Sequence, residues 1–167
     1  MPLVPADLAR LRDDHGVDIV VQPSDQRVFT PDELTEAGVP LQGDLSDCDV
    51  ILGVKEIPPH LFLHGRTYVF FSHTIKGQAY NMTMLRELMA RGCNLIDYEC
   101  IVDEQDRRLV FFGVHAGLAG MINTLWALGQ RLLQEGLRTP LADLKQAVKY
   151  PDLATAKAAV AEAAAAC

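Results

Sequence analysis

No uninterrupted apolar run in this chain is long enough to cross a membrane. The longest weakly polar window, Gly113 to Leu133, is broken by His115, Asn123, Gln130 and Arg131 and reads as a buried helix. Nor does a basic segment followed by an apolar one open the chain, so nothing points to secretion. Basic residues are in deficit. With 15 Lys and Arg against 22 Asp and Glu, the formal net charge is −7, which argues against nucleic acid or an anionic membrane surface as partner. A local cluster of Lys and Arg still leaves small anions open. Cysteine is scarce: Cys48, Cys93, Cys100 and Cys167 have neither metal nor redox spacing, the pattern of free thiols in a reducing cytoplasm. A linker rich in Gly, Pro or Ser and an internal repeat are both missing. The 167 residues, 49% hydrophobic and 22% charged, suffice for one globular core.

What the chain does contain is an alternation of helix and strand signals. Leu8 and Leu11, between Pro5 and Gly16, predict a short helix, and Asp18 to Gln22 a strand after it. Thr30-Pro31-Asp32-Glu33 is a capping box for a helix that Gly38 ends. Val50 to Val54 and Thr67 to Phe71 predict two buried parallel strands, separated by a loop or single helical turn after Pro58-Pro59. Met82, Met84, Leu85, Leu88 and Met89 have helical spacing up to Gly92. Asn94 to Tyr98 and Arg108 to Phe112 predict further strands, with room for a hairpin between Tyr98 and Phe112, and a long helix follows from Gly113 to Gln134. The alternation predicts an α/β fold, a largely parallel open sheet flanked by helices with Rossmann-like, flavodoxin-like layering. From Thr139 the chain is Ala-rich helix with little apolar bulk, a peripheral or connecting element.

The two central strands deliver Lys55-Glu56 and Ser72-His73-Thr74, with Lys76, to one crevice at their carboxyl ends, the usual ligand position in such a sheet. An ammonium, a carboxylate and an imidazole on one rim suit acid–base chemistry on a small polar substrate. Each residue also has a plainer reading. Lys55-Glu56 is an acid–base lysine with its orienting carboxylate or a solvated loop pair; His73 is a proton carrier or a hydrogen-bonded strand-end histidine. Lys76 holds a substrate carboxylate or is an ordinary surface lysine. Glu99 tunes a neighbouring Lys or His by its charge or sits in solvent, and Arg107-Arg108 bind a dicarboxylic acid or guard a strand edge. His60 and His64 have i, i+4 spacing but no carboxylate or Cys to complete a set, so no metal is expected. Gly113, Gly117 and Gly120 line a helix face suited to close packing on a sheet or a partner, and G-V-H-A-G-L-A-G lacks the dinucleotide pattern.

Taken together, I-L-G-V-K-E-I-P, F-F-S-H-T-I-K-G-Q with N-M following, L-I-D-Y-E, R-R-L-V-F-F-G and A-G-x-A-G-M-I-N closely resemble the amino-terminal half of lysine–ketoglutarate reductase. That is the reductase portion of bifunctional aminoadipic semialdehyde synthase, itself similar to saccharopine dehydrogenase and the alanine dehydrogenase/transhydrogenase superfamily. The motifs occur in order at the expected separations, from Pro2-Leu3 to the T-P-L around Pro140. The resemblance implies a substrate-side domain over residues 1–137 and a helical connector over 138–167, leading to a nucleotide-binding domain not in this chain. It implies Lys55 and His73 as acid–base groups, Lys76 on substrate carboxylates, Glu56 and Glu99 as tuning groups, and Gln78 and Arg108 as further substrate contacts. The implied chemistry is condensation of lysine with 2-oxoglutarate through a carbinolamine to an imine, reduced by NADPH or NADH to saccharopine, or the reverse. The implied setting is cytoplasmic, or mitochondrial in a eukaryotic enzyme, with a homo-oligomer and a cofactor domain in cis or in trans as partners.

Two departures shape the expectations. The family's first strand and its basic R-x-P-L segment precede the position of Leu3, and its glycine-rich cofactor turn follows the Ala-rich segment. The chain alone is therefore expected not to catalyse hydride transfer, and its sheet to carry an exposed slot or edge that favours self-association. Three rivals remain beside this reading: a non-catalytic ligand-binding or regulatory module, an assembly domain dimerising through the glycine-lined helix, and a relative acting on another amino acid such as alanine or ornithine.

Overall fold

Proline starts and glycine stops delimit the first helices. In the computed structural model, which describes residues 1–166 and so leaves the Cys167 thiol outside the described residues, α1 spans Pro5–His15 and closes on Gly16 at φ 65°. Helix α2, Pro31–Glu36, carries the full capping box: the Glu33 amide donates to the Thr30 hydroxyl at 3.3 Å and the Thr30 amide to Glu33 Oε2 at 2.6 Å. Leu8 and Leu34 bury against Val21 and Val39 in a small core. The strand expected at Asp18 to Gln22 is reduced to a single parallel bridge between Val21 and Leu41. Val21 donates to the Pro40 carbonyl and Gln42 donates to Val21, both at 3.0 Å, but Pro40 has no amide with which to extend the ladder.

The sheet proper has three parallel strands in the order β1 (Val50–Leu52), β2 (Thr67–Phe70), β3 (Asn94–Asp97), with Ile51, Tyr68 and Leu95 in register. Alternation along β2 turns Tyr68 and Phe70 into a core with Phe62, Met84 and Leu88. Met84 and Leu88 come from the crossover helix α3, Ala79–Ala90, and Phe62 from the end of a 3-10 turn at Pro59–Leu61. Both coverings lie on this one side. Val50, Leu52 and Ile96 on the opposite face stay 49%, 45% and 46% exposed, so strands expected to be buried on both sides are covered on one. The strand expected at Arg108 to Phe112 is also absent. One antiparallel bridge, Val102 to Arg108, closes a hairpin whose turn is tied by Asp103 Oδ1 accepting from the Gln105 and Arg107 amides at 3.0 and 2.9 Å. These residues, Met1–Val110, form one compact unit.

A second unit begins at Phe111. Helix α4, Gly113–Gln134, is less buried than its composition suggests: Ile122 and Gly129 are covered, whereas Val114 and Met121 are 72% and 62% exposed. The glycine that permits close packing is Gly129, where a Cβ would stand 2.3 Å from the Leu141 backbone in the turn Pro140–Asp143. A Cβ at Gly117 or Gly120 would meet nothing within 4 Å. Helix α5, Leu153–Ala165, is capped by Asp152 accepting from the Thr155 amide at 2.7 Å and buries Ala156 and Ala163. Among the described residues no helix is long and apolar enough to cross a membrane.

Candidate acid–base site at the carboxyl rim of the sheet

The ladder between β1 and β2 runs on past both strands, with the Gly53 amide donating to Val69 at 2.9 Å and the Phe71 amide to Val54 at 3.2 Å. Lys55-Glu56 and Ser72-His73 therefore leave the sheet from adjacent chains. His73 sits at φ 52°, in the left-handed region that side chains disfavour. A turn closed by the Gly77 amide on the Thr74 carbonyl at 2.9 Å then carries Lys76 and hands the chain to α3. On the other side of β2, β3 ends at Asp97, and a 3-10 turn, Tyr98–Cys100, brings up Glu99.

Glu99 is the hub of the site. Its side chain is 6% exposed, which rules out the solvent-facing reading of this residue. Oε1 accepts from Arg108 Nη2 at 3.0 Å and lies 3.7 Å from Lys76 Nζ. Oε2 is 3.4 Å from His73 Nδ1 and has no hydrogen bond among the described residues. The other imidazole nitrogen, Nε2, stands 3.7 Å from Glu56 Oε1. A carboxylate so buried is tolerable because basic groups surround it. The Phe71 ring stacks on the imidazole, with centroids 6.4 Å apart, and meets Tyr98 at 5.0 Å. Burial pushes the Tyr98 phenol up.

The rest of the expected set is placed otherwise. Lys55 is exposed and has no hydrogen bond or ion pair among the described residues. Gln78 Oε1 accepts from the Tyr80 hydroxyl at 2.6 Å, and Arg107 is engaged by Asp103 at 2.8 Å. Sequence reasoning delivered Ser72 to the rim but missed its burial, and missed Asp97 and Asn81 beneath the rim altogether. Ser72 donates its hydroxyl proton to Asp97, and Asn81 Nδ2 donates to the Ser72 carbonyl at 3.0 Å. A signal for Asp97 was available, since it has the parity of the core-facing Leu95 on β3.

The arrangement can pass a proton through His73 and hold an anion with Lys76 and Arg108. The glycine-rich start of α4 has no strand running into it, so it lacks the strand–turn–helix setting of a dinucleotide fingerprint. Among the described residues no group of three His, Cys, Asp or Glu is placed to hold a metal, and the 3-10 turn at Pro59–Leu61 breaks the helical spacing of His60 and His64.

Known proteins match this chain along most of its length. It is 43% identical over 164 residues to the alpha-aminoadipic semialdehyde synthase of Arabidopsis thaliana, and 43% identical over 148 residues to the mitochondrial alpha-aminoadipic semialdehyde synthase of Rattus norvegicus. Those alignments take in 95% and 89% of this chain but 15% and 16% of the relatives. A saccharopine dehydrogenase [NAD(+), L-lysine-forming] of Neurospora crassa is 33% identical over 149 residues, 80% of this chain and 40% of the relative. The description "Alanine dehydrogenase/PNT, N-terminal domain" matches residues 1–119, which include the whole sheet and every residue of the His73–Glu99 cluster. With that match and its open parallel sheet, the chain belongs to the alanine dehydrogenase/PNT N-terminal domain family.

Proposed function

We propose that this chain is the substrate-binding and acid–base part of an oxidoreductase of lysine metabolism that forms saccharopine from lysine and 2-oxoglutarate, or cleaves it. The observation that carries the reading is His73 set between Glu99 at 3.4 Å and Glu56 at 3.7 Å, with Lys76 and Arg108 on the same buried carboxylate. Joining an amine to a keto acid requires a proton taken from nitrogen and another delivered to the departing oxygen. His73 carries one of these, and Lys55, exposed after the neighbouring strand β1, carries the other. Glu56 and Glu99 offset the charge of the imidazolium, while Lys76, Arg108 and Gln78 orient the dicarboxylate. The hydride comes from NAD or NADP on a nucleotide-binding domain, in cis or in trans, toward which residues 138–167 form the connector. The assembly is a homo-oligomer, which light scattering tests directly.

The test combines this chain with a cofactor domain from the same source, NADPH, lysine and 2-oxoglutarate, and follows cofactor absorbance. His73→Ala and Lys55→Ala are each expected to lower kcat by about 10²–10⁴-fold, and the chain alone to give no turnover. Undiminished turnover in both variants would overturn the reading. The unpartnered state of Lys55 favours one second reading, a ligand-binding module. Binding of 2-oxoglutarate without turnover in the assembled mixture selects that one.

A further inference from the structure

Asp97 takes no part in the chemistry above, yet both of its oxygens are engaged by hydrogen bonds. It closes β3 at 7% exposure and pairs in register with Phe70. Oδ1 accepts from the Glu99 amide at 2.8 Å, and Oδ2 accepts from the hydroxyl of Ser72, which is itself fully buried. The Ser72 hydroxyl lies 2.7 Å from Thr74 Oγ1 and accepts from the Thr74 amide at 3.2 Å. A carboxylate only accepts, so the single Ser72 proton goes to Asp97, and the Thr74 hydroxyl must then donate to Ser72. The Ser72 carbonyl is held from α3 by Asn81. His73 is thus bracketed by Ser72, bonded to Asp97 directly, and Thr74, linked to it through the Ser72 hydroxyl, and its φ of 52° persists only where its surroundings over-determine it.

We propose that Asp97 is a positioning residue: one buried carboxylate fixes the backbone beside His73 and the backbone of Glu99, and so sets the imidazole against its acid partner. It touches neither of those side chains. The consequence for catalysis rests on the function proposed above, whereas the geometric statement stands apart from it.

The variants are Asp97→Asn, which keeps an acceptor for the Glu99 amide but presents an N–H to Ser72 and reverses the hydroxyl chain, and Ser72→Ala, which removes its middle link. Two readouts are taken on each. In the full chain by NMR, the His73 ring signals and the couplings that report the sign of its φ are expected to change, while signals from Leu8 and Leu34 stay in place. In the assembled enzyme kcat is expected to fall by about a hundredfold, as for a displacement of about 1 Å, with KM little changed. Asp97→Ala, without the surviving acceptor, is expected to be worse than Asp97→Asn. The proposal is overturned if His73 is unmoved in the folded variants, or if the Leu8 and Leu34 signals move as far as those of His73. Moved His73 signals with no turnover even in the parent mixture would uphold the positioning role and sink the proposed reaction. Should neither variant fold, Thr74→Val, which removes the outermost donor, is read by the same measures with the same criteria.

Discussion

The two apolar clusters of the first unit are similar in size but rest on different scaffolds. Leu8, Val21, Leu34 and Val39 are gathered by two capped helices and a lone bridge, whereas Phe62, Tyr68, Phe70, Met84 and Leu88 lie under a continuous parallel ladder. The four buried polar residues among those described, Ser72, Asn81, Asp97 and Glu99, all adjoin the second cluster. A buried carboxylate costs several kcal/mol unless its partners are fixed in place. Ladder-bound strands fix them; a single bridge does not. The difference teaches that ionisable groups are affordable in this chain where the backbone is already over-determined.

The comparison is broken most severely at Phe70. Phe70→Ala should cost about 3–5 kcal/mol in urea unfolding, because the fully buried ring cannot be replaced by solvent, and should displace the His73 and Glu99 signals as well. Leu34→Ala should cost about 2–5 kcal/mol, but the NMR signals of His73 should stay where they are. Equal displacement of His73 by both variants would mean that the clusters form one mechanical unit. A smaller loss, about 1 kcal/mol, is expected for Thr30→Ala, from removal of the α2 cap; thermal melts of the two proteins would reveal it.

Smallest of all is a pH effect at the same cap. The Thr30 amide, and next the Thr30 hydroxyl, hold the Glu33 carboxyl below the usual glutamate range. Because the folded value is the depressed one, the stabilisation is present above the unfolded value and is lost as pH falls through the folded value. Glu33→Gln should therefore lower Tm at neutral pH, and the gap to the parent should close on acidification. A gap that stays constant with pH would show that the carboxylate charge contributes nothing to the cap.

Legibility tracked the range of the interactions. The α2 capping box and the left-handed Gly16 are set by residues within one or two turns of each other, and the sequence pattern of Thr30, Pro31 and Glu33 is enough to see them. The parallel order of β1, β2 and β3 followed from strands alternating with crossover segments. Burial on one face only did not, because Val50 and Ile96 are as apolar as Ile51 and Leu95, and only the placement of α3 decides which side is covered. Arg108 to Phe112 has strand composition, but after the Asp103 turn its pairing with the preceding segment is one bridge, Arg108 to Val102, with the Leu109 amide donating to Ile101 at 2.9 Å. In the candidate site, the departure of Lys55 and His73 from adjacent chains was visible in the sequence. The burial of Glu99 and the double anchoring by Asp97 were not, since both depend on a 3-10 turn that no local pattern announces.

The backbone of His73 carries a folding cost at a single position. A side chain with a Cβ pays about 1–2 kcal/mol to sit in the left-handed region, a cost that glycine avoids and asparagine softens. All three variants His73→Gly, His73→Asn and His73→Ala remove the imidazole beside the buried Glu99, but only His73→Ala keeps most of the strain, so its Tm should be the lowest of the three. Backbone strain alone would carry this position away from histidine, so a histidine retained there under selection for thermal endurance would itself be evidence of use.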